Sequence, residues 1–524
     1  KFKQKYNLDN YVIYVGRIDI GKNCHELFND FIKFKEKYPE KTAFADVTES
    51  ITWKELVESS KKLSTVIEKY FLPGSAVPIM ADKSVSTIKL FFAALYAGCF
   101  YSFFESSLPD SRIESMIETL QVSHIIADSR FAKKLEKFNI STHFVSELES
   151  DCGHYTGKRR KNIIDTDAVY ANFTSGSTGT PKAVAVSHGS VIDFIQSFVE
   201  TFDIKADENI GNQAPFDFDV SVKDIFSAVF TGASVHLIPK MFFSFPQKLL
   251  DYLEEREIST IIWAVSALCL ITTLNGFSYK VPSKIRKIMF SGEVMPVKHL
   301  RLWQQAIPEA EYVNLYGPTE ITCNCTYHRI PSAVPEDYQI PIGIPFANER
   351  VFLLDENDKL VSEAEISGEL CVSGTCVALG YYNNSEKTAE SFVQNPLNKT
   401  GFERIYRTGD LAKYGKDGLL YYIGRKDFQI KLNGHRIELS EIEGALMAIN
   451  EISRCCCIFH ENKIFAFYSG AELAVKEIVA VLRKSLPVFM IPSEFVFVKE
   501  FVLNKNGKID RNVLKEMIDA EKAD

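Results

Sequence analysis

Two textures alternate along this chain: short unbroken apolar runs, and longer stretches in which apolar residues recur three and four positions apart. Cys24 to Tyr38 sets Leu27, Phe28, Phe31, Ile32 and Phe34 among charges, the pattern of an amphipathic helix. Ile51-Thr52-Trp53 opens a second helix with Leu56 and Val57 on one face. Val77-Pro78-Ile79-Met80 predicts a short buried strand, and Ser86 to Ala97 an apolar helix closed by Gly98. Val122 to Ala127 and Thr142-His143-Phe144-Val145 predict two further strands. Strand and helix in alternation point to α/β layers and away from a β-sandwich.

Further on, Ser234 to Ile238, Thr260 to Trp263, Ile285 to Phe290 and Glu311 to Asn314 read as strands, several of them ending in Gly, Ser or polar residues. In such folds ligands gather where strands end. From about Pro341 the texture becomes β-rich, in Arg350 to Leu354, Gly368 to Val372 and Leu419 to Ile423. After Gly424-Arg425-Lys426-Asp427 a smaller mixed segment runs to the end. The expected division is a leader at 1–23, a large α/β domain with a β-rich subdomain over 24–424, and a small mobile α+β domain over 425–524.

Composition narrows the class. At 524 residues and 46% hydrophobic, the chain has material for more than one core. A formal charge of -8 gives no basic footprint for nucleic acid or an anionic membrane. The amino terminus, KFKQKYNLDNY, lacks the apolar centre of a signal peptide, and no uncharged apolar run is long enough to span a bilayer. The expectation is a soluble, cytoplasmic protein without membrane insertion. The three side chains of Cys455-Cys456-Cys457 cannot share one side of a strand, and Cys323 and Cys325 have no second pair at zinc spacing. The eleven cysteines are expected as buried thiols.

The first stretch with chemistry in it is NFTSGSTGTPKAVAVSH, Asn172 to His188. Its glycines let backbone N–H groups converge, and its hydroxyls and Lys182 suit a polyanion. No Gly-Lys-Ser/Thr triplet follows at Walker spacing, so this is not the γ-phosphate loop of a kinase or ATPase. Five more motifs follow in order: NLYGPTE from Asn314, GELCVSGTCVALGYYNN from Gly368, YRTGDLAKYGKDG from Tyr406, GRKDFQIKLNGHRIELSEIE from Gly424, and NKNGKIDR from Asn504. Together they resemble the adenylate-forming (ANL) superfamily, in particular the amino-acid adenylation domains of nonribosomal peptide synthetases, and are similar to the stand-alone D-alanine–carrier protein ligases. The resemblance covers roughly residues 24 to 520.

That resemblance implies two steps. A carboxylate attacks the α-phosphate of ATP to give an acyl-adenylate and pyrophosphate, and a thiol, the phosphopantetheine arm of a carrier protein, then displaces AMP. The first step brings an anion to an anion, so Mg²⁺, a lysine and oriented N–H groups are needed. By the same resemblance Thr174, Ser175, Gly176, Ser177, Thr178, Gly179 and Lys182 form the phosphate loop, with Ala183 where glycine is common. Gly292 and Glu293, in Ser291-Gly292-Glu293, lie along the adenine, and Asn314 and Tyr316 bring an aromatic ring to the base. Thr319 and Glu320 face the α-phosphate, Glu320 as the Mg²⁺ ligand. Asp410 accepts the ribose hydroxyls, Arg425 contacts the nucleotide, and Asp427 is the hinge of the small domain. Lys508 is the mobile lysine of the adenylation step, while Lys431 to His435 line the thiol tunnel of the second.

For the substrate, Asp219 in Phe218-Asp219-Val220-Ser221 resembles the aspartate that meets an α-ammonium. A buried ammonium needs a partner, whereas an aryl or fatty acid would leave this carboxylate unpaired. By the same resemblance the side-chain pocket would draw on Val220, Lys223, Trp263, Met289, Ser291, Leu315, Cys323 and Asn324, with the registers at Trp263 and Met289 open by one residue. Pointing inward, Lys223 favours an acidic or polar side chain; pointing outward, it leaves room for a small neutral one. Gly98 to Ser102 departs from the family pattern by adding aromatic bulk. Within the leader, Tyr11 to Asn23 faintly resembles the opening strand and loop of some glycosyltransferases, with no matching motif downstream. No carrier-protein serine motif occurs, so the acceptor is expected in trans or removed from this chain. Competing readings are an acyl-CoA or aryl-acid ligase and a catalytically silent ANL-fold binding protein.

Overall fold

The computed structural model describes residues 36–176, 180–426, 429–502 and 509–521. The leader, most of the expected Cys24–Tyr38 helix, Ser177, Thr178, Gly179, Asp427 and Lys508 lie outside them.

Two large sheets carry the fold. One has seven strands in the order Gly380–Tyr381, Lys182–Ser187, Ala168–Thr174, Phe100–Phe103, Ala76–Met80, His124–Ala127 and Ser141–Phe144. The other has nine, with Glu311–Tyr316, Lys287–Ser291, Thr260–Ala264, Asn209–Asn212 and Ser234–Leu237 as neighbours in its middle. Those five run parallel, as buried strands joined by helical crossovers do. The helices Val85–Tyr96, His188–Phe202 and Val220–Thr231 share one core with Val77, Val184, Ile262 and Met289 from the two sheets. Val85–Tyr96 is buried on nearly every side, which is why its sequence is apolar all round.

Local chemistry sets several boundaries. The helix Trp53–Tyr70 starts on a capping box: Thr52 accepts from Glu55 N–H while the Glu55 carboxylate takes the Thr52 N–H at 2.9 Å. Pro78 occurs inside a strand with neighbours on both sides. Its register explains this, because pairing to His124–Ala127 begins only at Ile79.

Past residue 345 the chain forms a β-rich sheet around Ser367–Gly374 and Arg404–Tyr414, with Leu420–Arg425 along one side. From Gln429 it makes a hairpin, Gln429–Leu432 with His435–Glu438, then a three-stranded sheet flanked by helices and filled by its own core. This is the expected architecture, a large α/β lobe with a β-rich part and a small α+β lobe. The cysteine run lies on the strand Ile452–His460, with Cys456 and Cys457 in different cores. No described helix is long and apolar enough to cross a membrane.

Candidate active site

The carboxyl ends of the central strands converge with the small lobe's hairpin around two cavities. The larger, about 840 Å³, is lined by Glu293, Asn314, Tyr316, Asp410, Arg425 and Lys431. The smaller, about 130 Å³, is lined by Thr174, Asp219, Ser291, Cys323, Asn324 and Arg436. Gly292, Asp410, Arg425 and Lys431 border both, so the two are compartments of one site.

In the larger compartment, the strand Glu311–Tyr316 ends with the Tyr316 hydroxyl on Asp410 Oδ2. Arg425 holds the other oxygen at 2.6 Å. Tyr316 and Arg425 thereby fix the carboxylate in one orientation. Asn314 Nδ2 donates to the Pro341 carbonyl at 2.8 Å, and the Lys431 ammonium lies 5.7 Å over the Tyr316 ring. Glu293, whose carboxyl burial pushes upward, accepts the Gly434 N–H at 2.8 Å.

At the junction is Glu320, in the short 3₁₀ turn Thr319–Ile321 and wholly buried. Arg436 from the small lobe grips both its oxygens, at 2.9 and 2.7 Å, and the Tyr381 hydroxyl donates at 2.9 Å. Burial pushes the carboxyl up, but Arg436 and Lys182 outweigh it and hold it at about 2, fully ionised. Lys182, opposite Thr174 across the sheet, has its ammonium 4.9 Å over the Tyr381 ring. Burial and then Arg436 draw its pKa down. Ser175 Oγ donates to the Arg436 carbonyl at 2.9 Å, tying the base of the Ser/Thr/Gly loop to the small lobe.

The turn after Glu320 is tightly built. Thr322 and Cys323 are left-handed, at φ 56° and 84°, an arrangement rare for a β-branched residue and held by Thr322 Oγ1 on the Cys376 carbonyl at 2.6 Å. Gly317 makes the fold-back possible, since a Cβ there would stand 2.5 Å from Cα of Asn324. Asp219, at the start of the helix Val220–Thr231, has its carboxyl pushed up by burial and eased down by Thr319 and Lys223.

Asp219, Val220, Ser291, Cys323 and Asn324 line the small compartment together, and Leu315 borders the larger one. Lys223 is fully buried and its Nζ reaches Asn324 Oδ1 at 2.5 Å, which removes the outward-pointing alternative. Trp263 needs correction. Its indole N–H donates to the Gly211 carbonyl at 2.7 Å and its ring packs on Phe243 in the second core. Side chains alternate along a strand, so Trp263 faces the second core while its neighbour Ile262 turns to the first. Met289 packs with Ile262 in the first core, behind the cavity wall. Arg436 and Tyr381 were not among the site residues expected from the sequence. Both lay inside quoted motifs, but only the folded arrangement shows that they converge on Glu320.

Between the lobes, Arg112 pairs with Glu441, and the His435 ring stacks on Phe489 at 3.7 Å with its edge toward Phe218.

Comparison with known proteins agrees with this arrangement. A family model for the AMP-binding enzymes matches residues 31–382. The chain is 33% identical over 492 residues to zwittermicin A synthase ZmaJ of Bacillus cereus, covering 91% of this chain and 92% of that protein. It is also 33% identical to bacitracin synthase 1 of Bacillus licheniformis, covering 95% of this chain but 9% of that far longer synthase. Among solved structures, holo-PA1221, an NRPS protein containing adenylation and PCP domains, superposes with a TM-score of 0.81 at 26% identity, over 93% of this chain and 83% of that one. Motif order, fold and relatives converge: the chain belongs to the AMP-binding, adenylate-forming enzyme family, which adenylates an amino-acid or acyl substrate with ATP.

Proposed function

We propose that this protein activates an α-amino acid as its adenylate and passes the acyl group to the phosphopantetheine thiol of a carrier protein. Asp219 carries the reading. It places a carboxylate on the small compartment, where an α-ammonium would neutralise it and an aryl or fatty acid would leave it unpaired. ATP fits the larger compartment, with its adenine along Gly292-Glu293 and Tyr316 and its ribose on Asp410, beside Arg425. Ser175, Gly176 and Lys182 would hold the departing pyrophosphate, together with Ser177, Thr178 and Gly179.

In the first step a substrate carboxylate oxygen bonds to the α-phosphorus, and the bond to the β-phosphate oxygen breaks, releasing pyrophosphate. Thr319 and Lys508 contribute polar and positive contacts to the α-phosphate. In the second step thiolate sulfur attacks the acyl carbon, the acyl–oxygen bond breaks, AMP leaves and the thiol proton passes to water. Glu320 suits Mg²⁺: it is buried, ionised, and already holds a cation, the Arg436 guanidinium. Bound there, Mg²⁺ supplies neutralisation of phosphate charge.

The lobe arrangement favours the second step. The hairpin bearing Lys431 to Arg436 faces the site, the face that the family resemblance associates with thiol transfer. Asp427 is the proposed pivot between the two arrangements.

Amino-acid-dependent exchange of pyrophosphate into ATP tests the reading, run against aryl and fatty acids. Exchange with at least one amino acid, and thioester formed on a carrier protein but not on free CoA, is expected. Exchange with aryl or fatty acids alone would overturn it.

A further inference from the structure

Lys223 lies in the first turn of the helix Val220–Thr231 without exposed surface, and its ammonium is 2.5 Å from Oδ1 of Asn324. A lysine ammonium only donates, so the amide atom it meets must be the oxygen. This removes the usual ambiguity in how an asparagine amide is turned. Asn324 lines the small compartment. With its oxygen committed to Lys223, the group it offers the compartment is its NH₂, for which the described residues supply no acceptor.

The backbone beneath is equally fixed. Asn324 follows the left-handed Thr322 and Cys323 and donates its own N–H to the Thr322 carbonyl at 3.2 Å. Its Cα closes on Gly317, where no larger residue fits. Ser291 lines the same compartment, and its hydroxyl is buried without a partner among the described residues. Close to Asn324, the Cys323 thiol donates to the Asp219 carbonyl at 3.3 Å, and one oxygen of Asp224 accepts from Asn212 at 2.6 Å. The Asn324 amide and the Ser291 hydroxyl meet no acceptor among the described residues, and a donor left so is costly unless the ligand brings one.

We propose that the amino acid activated here has a short side chain ending in an oxygen that accepts hydrogen bonds from the Asn324 amide and the Ser291 hydroxyl, with Lys223 as the positioning residue that turns the amide. The inference rests on the amino-acid reading above. Hydroxyl, carboxamide and carboxylate side chains share this chemistry. A compartment of about 130 Å³, well below the ~300 Å³ and upward of drug-sized sites, keeps the side chain short.

The test is exchange kinetics with matched pairs: threonine against valine, and asparagine and aspartate against leucine. The oxygen-bearing member of at least one pair should win by about 100-fold or more in kcat/KM, because a site built to donate rejects an analogue that cannot accept. The threonine, asparagine and aspartate arms tell hydroxyl, carboxamide and carboxylate apart. Asn324→Asp exchanges the NH₂ for an acceptor and should lower the winning ratio about 10-fold or more. Lys223→Met frees the amide to turn and should lower the same ratio, which supplies the test if Asn324→Asp does not fold. A general loss of folding would move both members of a pair together and leave the ratio unchanged. Preference for valine and leucine, or ratios unmoved in both variants, would overturn this inference and leave the proposed function standing. No exchange with any amino acid would overturn both.

Discussion

Replacing Arg436 with methionine should separate the two half-reactions. Methionine keeps most of the length and apolar stem but removes the guanidinium from Glu320. The Glu320 carboxyl is held at about 2 against an ordinary 4.5, and at ~1.4 kcal/mol per unit this is about 3 kcal/mol of net stabilisation of the charge. Arg436 is the largest favourable contributor, ahead of Lys182. Stripping one partner from a buried pair typically costs about 3–5 kcal/mol, which agrees in scale. That energy is stored across the two lobes. If even ~2 kcal/mol of it favours the observed docking, its loss shifts the lobe equilibrium roughly 30-fold.

Transfer from preformed adenylate to a carrier thiol should therefore fall about 10- to 30-fold in single-turnover measurements. Pyrophosphate exchange should hold within about threefold, because Arg436 and Mg²⁺ would compete for one carboxylate, and the Mg²⁺ concentration for half-maximal exchange should fall. Equal loss of exchange and transfer, or an unchanged Mg²⁺ requirement with normal transfer, would refute the reasoning.

Other perturbations have distinct readouts. Asp219→Ala should raise KM for the amino acid by about 100-fold or more through loss of a buried charge partner, with KM for ATP nearly unchanged in exchange assays. Gly317→Ala forces a methyl to within 2.5 Å of Asn324 Cα and 2.7 Å of the Cys323 carbonyl, and should cost about 1–3 kcal/mol in denaturant unfolding as well as exchange activity. Burial pushes His236 down to about 4 from an ordinary 6.5, with Arg256 adding to it. The unfolded chain then binds the proton more readily, so this contribution, about 3 kcal/mol at most, is complete above pH 6.5 and lost as pH falls toward 4. His236→Gln should flatten the urea midpoint against pH across that window. Thr52→Ala removes a capping box and should cost about 1 kcal/mol, read as a lower unfolding midpoint without loss of exchange.

Most of the α/β layering was legible because buried parallel strands write themselves as apolar runs. Thr260–Ala264, Lys287–Ser291 and Glu311–Tyr316 fall within a few residues of their expected places. Asn209–Asn212 was not legible, although it pairs on both sides. Asn-Ile-Gly-Asn has poor strand propensity, and Gly211 is there because a Cβ would stand 3.0 Å from Ile258 Cγ2. Trp263 was assigned to the wrong face because one step along a strand reverses every side chain, and motif matching alone does not fix that parity. The residues that line the larger compartment, Glu293, Asn314, Tyr316, Asp410 and Arg425, were readable from the ordered motifs. The Arg436–Glu320 contact was not, since it joins residues far apart in sequence through lobe docking.

The two-residue strand Gly380–Tyr381 has a consequence for biosynthesis. It closes the edge of the seven-stranded sheet by pairing with Ala185 and Val184, residues made about 200 positions earlier. At about 5–20 residues per second, the strand Lys182–Ser187 waits roughly 10–40 s on the ribosome for its partner. During that interval its outer edge is an unpaired template open to other chains. A fragment stopping short of Tyr381 retains that open edge permanently and also lacks the hydroxyl that reaches Glu320. Solubility and the active site are therefore completed by the same late dipeptide.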